Sequence, residues 1–179
     1  MDLLAKIISC HQHLQKAGID HAFGGALALA WCTASARGTI DIDINLLVGN
    51  EQVDAVLSAL PDAVQWTQAD KQRLLRDSQH RLWWEATPLD LFFNSTNYHQ
   101  RLAAHVRWEE FGGHQLPFLS CEDLAVFKVF FDRTKDWADL EAMQQAGTLD
   151  TKFVAGIISH YLGADDPRMQ KLLDLERPG

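Results

Sequence analysis

Over residues 2–17, Leu3, Leu4, Ile7, Ile8, His11 and Leu14 recur at the three- and four-residue intervals of a helix with one apolar face, and Gly18 stands where such a helix stops. His11 falls on the apolar face and His13 on another, so one is expected at the edge of the core and the other at the surface. The short apolar run 19–23 reads as a strand leading into Gly24-Gly25, and 26–31 reads as a helix. The period then changes. In Thr39-Ile40-Asp41-Ile42-Asp43-Ile44-Asn45-Leu46 polar and apolar residues alternate strictly, which predicts a β-strand, closed at Gly49, with Asp41 and Asp43 on one face.

Asn50 is placed to cap a helix over 51–60, which Pro61-Asp62 breaks. Residues 63–67 suit a short strand, and the polar run 68–79 suits a loop or a short exposed helix. Two β-rich segments follow, 81–86 and 89–93, separated by Thr87-Pro88. A helix is expected over 96–106 and a hairpin over 108–119 with Gly112-Gly113 at its turn. Ser120-Cys121-Glu122-Asp123 has capping spacing ahead of an apolar run. Further helices are expected up to Gly147, over 151–162 with Gly163 as the stop, and over 168–175 with Asp166-Pro167 in the cap and first-turn positions. Strands alternating with helices come first and helices alone come last. The pattern predicts an α/β (α+β) fold: a small mixed β-sheet flanked by helices over 1–119, with a C-terminal helical bundle over 120–179 packed on that core.

Composition narrows the function classes. With 179 residues, 47% of them hydrophobic, the chain can bury one proper core. It has no apolar run of membrane-spanning length, and Met-Asp-Leu-Leu-Ala-Lys at its start lacks a signal-peptide layout, so a cytoplasmic protein with no membrane partner is expected. Three cysteines without a CxxC spacing argue against a disulfide framework and against a zinc site, and predict free thiols. A net charge of -8 argues against a long basic groove for nucleic acid, and leaves a small acceptor or local contact with one nucleic-acid end.

The candidate chemistry centres on carboxylates. Asp41 and Asp43 on one strand face stand roughly 7 Å apart along the strand and repel unless a cation lies between them. Asp90, inside the apolar run 88–93, also needs a partner. Three strand-borne carboxylates can hold two Mg²⁺ or Mn²⁺ ions, since hard oxygen ligands suit these metals and not zinc. Gly24-Gly25 between strand and helix lets a phosphate approach the backbone, and Arg37 or Lys128 could pair with its charge. Lys128 falls at i+4 from Leu124 and three residues before Phe131, so it projects from an otherwise apolar helix face, where snorkelling to solvent is the structural alternative.

A Gly-Gly turn, a helix, then Arg37-x-Thr39-x-Asp41-x-Asp43 and a later Asp90 in an apolar setting resemble the nucleotidyltransferase superfamily of the polymerase-beta type. The Lys128 helix followed by Arg133-x-Lys135-Asp136-x-x-Asp139-Leu140 is similar to the AbiEii-like toxin nucleotidyltransferases of defence and toxin–antitoxin systems. The resemblance covers about residues 20–145. It implies the nucleotidyltransferase fold, an NTP and Mg²⁺ as ligands, and transfer of a nucleoside monophosphate to a hydroxyl or phosphate of an acceptor that is a small molecule, a protein or an RNA end. It further implies Asp41, Asp43 and Asp90 as catalytic and metal-binding residues, with Asp90 activating the acceptor. Gly24, Gly25, Arg37, Thr39 and Lys128 are implied as nucleotide-binding, Asp136 and Asp139 as a second acidic motif, and a cognate antitoxin or toxin as partner.

Two other readings stand beside this one. An aminoglycoside or lincosamide nucleotidyltransferase has similar length, and an acidic cleft suits a cationic acceptor, but Ala26-Leu27-Ala28 lacks the Trp-Ala that commonly follows that group's glycine pair. A non-catalytic nucleotide-binding or antitoxin module of the same fold would have no use for three uncompensated carboxylates.

Overall fold

The first periodic segment closes as α1 (Leu3–Lys16), capped by Asp2, whose carboxylate accepts from the Ala5 N–H at 2.8 Å, with Ile7, Cys10 and Leu14 in the core. The computed structural model describes residues 1–35 and 38–176, so Arg37 lies outside the described residues. Gly18, at φ +69°, turns the chain into β1 (His21–Phe23), and α2 (Gly25–Thr33) follows. Next come β2 (Ile42–Gly49), a 3₁₀ turn (Asn50–Gln52), α3 (Val53–Ala59), β3 (Val64–Gln65), α4 (Gln68–Asp77), β4 (Gln79–Trp84) and β5 (Thr87–Asn94). The chain continues through α5 (His99–Leu102), β6 (Arg107–Phe111), β7 (His114–Phe118), α6 (Cys121–Phe131), α7 (Thr134–Gln145), α8 (Thr151–Leu162) and α9 (Pro167–Asp174).

The described strands form a seven-stranded mixed sheet in the order β3-β4-β5-β2-β1-β7-β6. Parallel pairing joins β2 to β5 and β1 to β7, and the remaining neighbours are antiparallel. The expected mixed sheet flanked by helices is therefore present. By contacts the chain forms two compact units, one of Met1–Leu27 with Gly38–Leu119 and one of Ala28–Arg37 with Ser120–Gly179. The first holds the whole sheet and buries Ile7, Leu14, Phe23, Ile42, Ile44, Leu89, Leu91 and Phe93 almost completely. The second buries Val129, Leu140, Met143, Val154, Ile158 and Leu172 among its helices.

Several local expectations are corrected. Strand β2 begins at Ile42, not Thr39: the Asp41 N–H donates to the Thr39 hydroxyl at 3.1 Å, a local side-chain bond that competes with strand pairing. Asn50 does not cap a helix; its Nδ2 donates to the Leu75 carbonyl at 2.7 Å, fastening the end of β2 to α4. Of the two readings of the polar run 68–79, a loop or a short exposed helix, the helix is the one that forms, with Thr67 and Asp70 as a reciprocal capping box. Only four residues of the helix expected over 96–106 form one, as α5. The turn between β4 and β5 is Glu85-Ala86, not Thr87-Pro88, with Glu85 at φ +55°. Pro88 is tolerated inside β5 because pairing with β2 starts only at Leu89, so no partner on that side needs its missing N–H. Buried Lys6 holds this turn: its ammonium donates to the Trp84 carbonyl at 3.0 Å and Thr87 Oγ1 at 2.9 Å, and pairs with Glu85 at 2.9 Å.

The expectation of three free thiols is also corrected. Cys32 on α2 and Cys121 at the start of α6 form a disulfide across 89 residues, and only Cys10 is free and buried, its thiol pushed up to about 12 by burial. An odd cysteine count could not disclose a pairing that the fold itself brings about. Such bonds persist where thiols are oxidised, which ties the expected location to the redox state of the compartment. No helix among the described residues is long and apolar enough to cross a membrane.

His11 is buried, at 4% exposure, and its Nδ1–H donates at 3.1 Å to Nε2 of buried His21, whose own Nδ1–H donates to the Ile19 carbonyl at 2.9 Å. Burial lowers the pKa of His11 to about 4, with the charges of His21 and His114 adding, and burial also lowers that of His21. Folded imidazoles that resist protonation leave the unfolded chain binding more protons below its ordinary histidine pKa of about 6.5. Stability is therefore fully present above pH 6.5 and falls as pH drops toward 4. Urea midpoints measured from pH 7.5 to 4.5 should decline, and His11→Gln should flatten the decline in part, because half-buried His99, lowered to about 4 by desolvation, acts in the same direction. A midpoint that holds level over this range would exclude a neutral buried pair.

Candidate active site

The register of three neighbouring strands assembles the site. Asp43 on β2 stands directly beside Asp90 on β5 in the parallel ladder, and Asp90 stands directly opposite Arg81 on β4 in the antiparallel one. Residues in register share a sheet face, so Asp43, Asp90 and Arg81 form one row across the sheet, and Asp41 joins that face one residue before β2 begins. The apolar flanks Ile42, Ile44, Leu89 and Leu91 point to the other face and are completely buried, which fixes the carboxylates outward.

Asp90 has the partner its burial demands. Arg81 grips it bidentately, Nε to Oδ1 and Nη2 to Oδ2 both at 2.7 Å, and Nη2 also lies 3.6 Å from Asp41 Oδ2. The hydrogen bond to Asp90 raises the guanidinium pKa further above its ordinary value, and the charges of Asp90, Asp41 and Asp43 add to it. Asp90 is 17% exposed by its side chain and Arg81 44%, so the pair closes a surface that solvent reaches.

The glycine pair lies against this row. Gly24 donates its N–H to the Asp43 carbonyl at 2.9 Å, so that donor is spent on β2 and any anion there would rely on other amides at the start of α2. A Cβ on Gly24 would come within 2.6 Å of Asn45 Nδ2, and one on Gly25, which has φ +52°, would collide with the Asp43 carboxylate. Gly25→Ala should therefore cost clearly more stability than Gly18→Ala, which shares a positive φ but meets nothing within 4 Å and should cost about 1 kcal/mol. Thermal unfolding of both variants checks this, and equal losses would mean that Asp43 does not crowd the glycine.

The donors fit a hard divalent cation in chemistry: carboxylate oxygens on one face, with a side-chain-free cradle beside Asp43. Among the described residues no three His, Cys, Asp or Glu side chains are preassembled around one ion, and Arg81 brings a positive charge to Asp90 and Asp41.

The other predicted site residues lie elsewhere. Thr39 is engaged with the backbone of Asp41. Lys128, Asp136 and Asp139 meet in the helical unit, all buried: Lys128 Nζ is 2.6 Å from Asp139 Oδ2 and 3.6 Å from Asp136 Oδ1. Arg133 Nε donates to Asp136 Oδ2 at 2.6 Å and closes this group from outside. Lys128 does not snorkel; it is enclosed and paired. Arg81 is the residue that sequence reasoning missed. A two-residue turn at Glu85-Ala86 would have placed it opposite Asp90, whereas a turn at Thr87-Pro88 places Glu85 there.

The mixed sheet flanked by helices has the fold seen in nucleotidyltransferase structures. The chain is similar to the antibiotic-resistance factor ANT(2'')-Ia in solution, with a TM-score of 0.57 and 11% identity over 88% of this chain and 92% of that one. It is also similar to ANT(2'')-Ia in complex with adenylyl-2''-tobramycin, with a TM-score of 0.58 and 13% identity over 88% of this chain and 98% of that one. An antigenic nucleotidyltransferase-like protein from Paracoccidioides brasiliensis matches with a TM-score of 0.55 and 12% identity over 96% of this chain and 92% of that one. No protein-family model matches the chain, and no characterised protein matches it in sequence.

Proposed function

We propose that the chain is a Mg²⁺-dependent nucleotidyltransferase that moves a nucleoside monophosphate from an NTP to a hydroxyl acceptor. The observation that carries this is the carboxylate row of Asp41, Asp43 and Asp90 set against Gly24-Gly25 in a nucleotidyltransferase fold. Asp41 and Asp43 would hold the divalent ions, with Asp90 as the third carboxylate; bound there, Mg²⁺ would acidify the attacking hydroxyl and offset the charge of the triphosphate. The side-chain-free Gly24-Gly25 segment leaves room for the phosphates at the start of α2, where amide N–H groups favour anions. Asp90, once free of Arg81, takes the proton of the acceptor hydroxyl as its oxygen bonds to the α-phosphorus and pyrophosphate leaves. Arg37 and Lys128 are the cations that the sequence resemblance gives to the triphosphate, and Lys128 would meet an anion only by leaving Asp139 and Asp136.

For the acceptor, similarity to a structure holding adenylyl-2''-tobramycin, together with a net charge of -8, favours a cationic polyhydroxylated small molecule. The Lys128…Asp136-x-x-Asp139 motif favours instead a toxin-like enzyme of the AbiEii type with a cognate antitoxin. Incubation with α-labelled NTPs and Mg²⁺, offered tobramycin-class aminoglycosides in one series and RNA ends or proteins in another, separates the two. Label on the aminoglycoside supports the first, label on a macromolecule the second, and label on neither argues for a binding module without turnover.

A further inference from the structure

The guanidinium of Arg81 stands where the charge of a cation is needed. Each Asp90 oxygen accepts one hydrogen bond, from Arg81 Nε and Nη2 at 2.7 Å, and the same Nη2 reaches toward Asp41 at 3.6 Å. A carboxylate so gripped has its two fork-facing lone pairs occupied and cannot chelate a metal ion through both oxygens from that side, and a guanidinium and a metal ion at one row of carboxylates repel each other. The fork is set by strand register, since Arg81 and Asp90 are direct cross-strand neighbours and not a chance surface pair. It can also let go. Arg81 is 44% exposed, and its guanidinium lies 6.0 Å from the ring centroid of Trp83, a largely exposed side chain on the same face of β4 that offers a place for the released cation.

We infer that Arg81 is an internal counter-ion that latches the carboxylate row shut, so that a divalent cation gains the site only by displacing the guanidinium from Asp90. The inference rests on the carboxylate row being a cation site, as proposed above. The latched form is then a tax on metal affinity: if it outweighs the open form about tenfold, apparent affinity is lowered by that factor, and deleting the latch restores it. The latch also pairs Asp90 and draws a positive charge toward Asp41 in the metal-free chain. Arg81 is a positioning residue here, acting on Asp90 and Asp41.

The test is Mn²⁺ binding to the full chain without nucleotide, read from the free-ion paramagnetic resonance signal at fixed ionic strength, for wild type, Arg81→Gln and Arg81→Lys. Arg81→Gln should bind about tenfold more tightly, and Arg81→Lys, which keeps the charge but loses the fork, should fall between. Mn²⁺ should also raise the melting temperature of Arg81→Gln more than that of wild type. Equal or weaker binding in both variants overturns the latch. If Arg81→Gln fails to fold, Arg81→Lys decides alone, and wild-type affinity there overturns it. Saturable binding that survives Asp43→Asn, or no binding in any protein, instead removes the cation site itself, and the latch falls with it.

Discussion

Asp43→Asn should lower metal-dependent nucleotidyl transfer by at least about 10³-fold, equivalent to roughly 4 kcal/mol of transition-state stabilisation. The variant keeps the size and the strand position, so the ladder to Asp90 and the hydrogen bond from Gly24 to the Asp43 carbonyl are retained. What it removes is one negative charge from a row in which three stand close together. Its melting temperature should therefore stay level or rise slightly, since like charges side by side on a sheet face are destabilising. This combination of lost turnover and retained stability is the signature of a functional carboxylate. A variant that loses both would mark Asp43 as a structural partner, and one that keeps full activity would remove it from the site.

Lys128→Met should destabilise the protein by about 3–5 kcal/mol, because it leaves Asp139 and Asp136 buried beside a missing charge. Arg133 continues to pair with Asp136, so the burden falls mainly on Asp139. The double variant Lys128→Met/Asp139→Leu should recover most of the loss, since replacing a buried ion pair by apolar side chains is often neutral. Urea unfolding of the two proteins decides this. A Lys128→Met protein as stable as wild type would mean the ammonium is not needed to neutralise the cluster. Nucleotide affinity measured on the folded fraction is a separate readout, and its fall would give the lysine the phosphate role that the resemblance assigns.

The sheet-and-helix order was legible because most elements carry a clean period: alternation around Asp43, helical spacing in α1 and α8, and caps at Ser120 and Asp166 that the structure uses as such. Turns were harder. Thr87-Pro88 looked like punctuation, yet the chain reverses two residues earlier, at Glu85-Ala86, where Glu85 has φ +55° and no turn signature of its own. That two-residue error moves the whole register, so the partner of Asp90 became invisible although the need for one was plain. The polar run before β4 left loop and short exposed helix open because the helix that forms is capped by Thr67 and Asp70 and has little apolar face behind it. The Cys32–Cys121 bond and the enclosure of Lys128 are products of tertiary proximity, across 89 residues in one case and between successive helices in the other, which no local pattern records.

Calorimetric titration of ATP, GTP, CTP and UTP into the purified chain, with and without Mg²⁺ and repeated on Asp41→Ala/Asp43→Ala, tests the proposed site most directly. Binding of at least one NTP that requires Mg²⁺ and disappears in the double variant is the predicted result. Binding that survives both substitutions, or that ignores the metal, would contradict a carboxylate-held cation and nucleotide at this site.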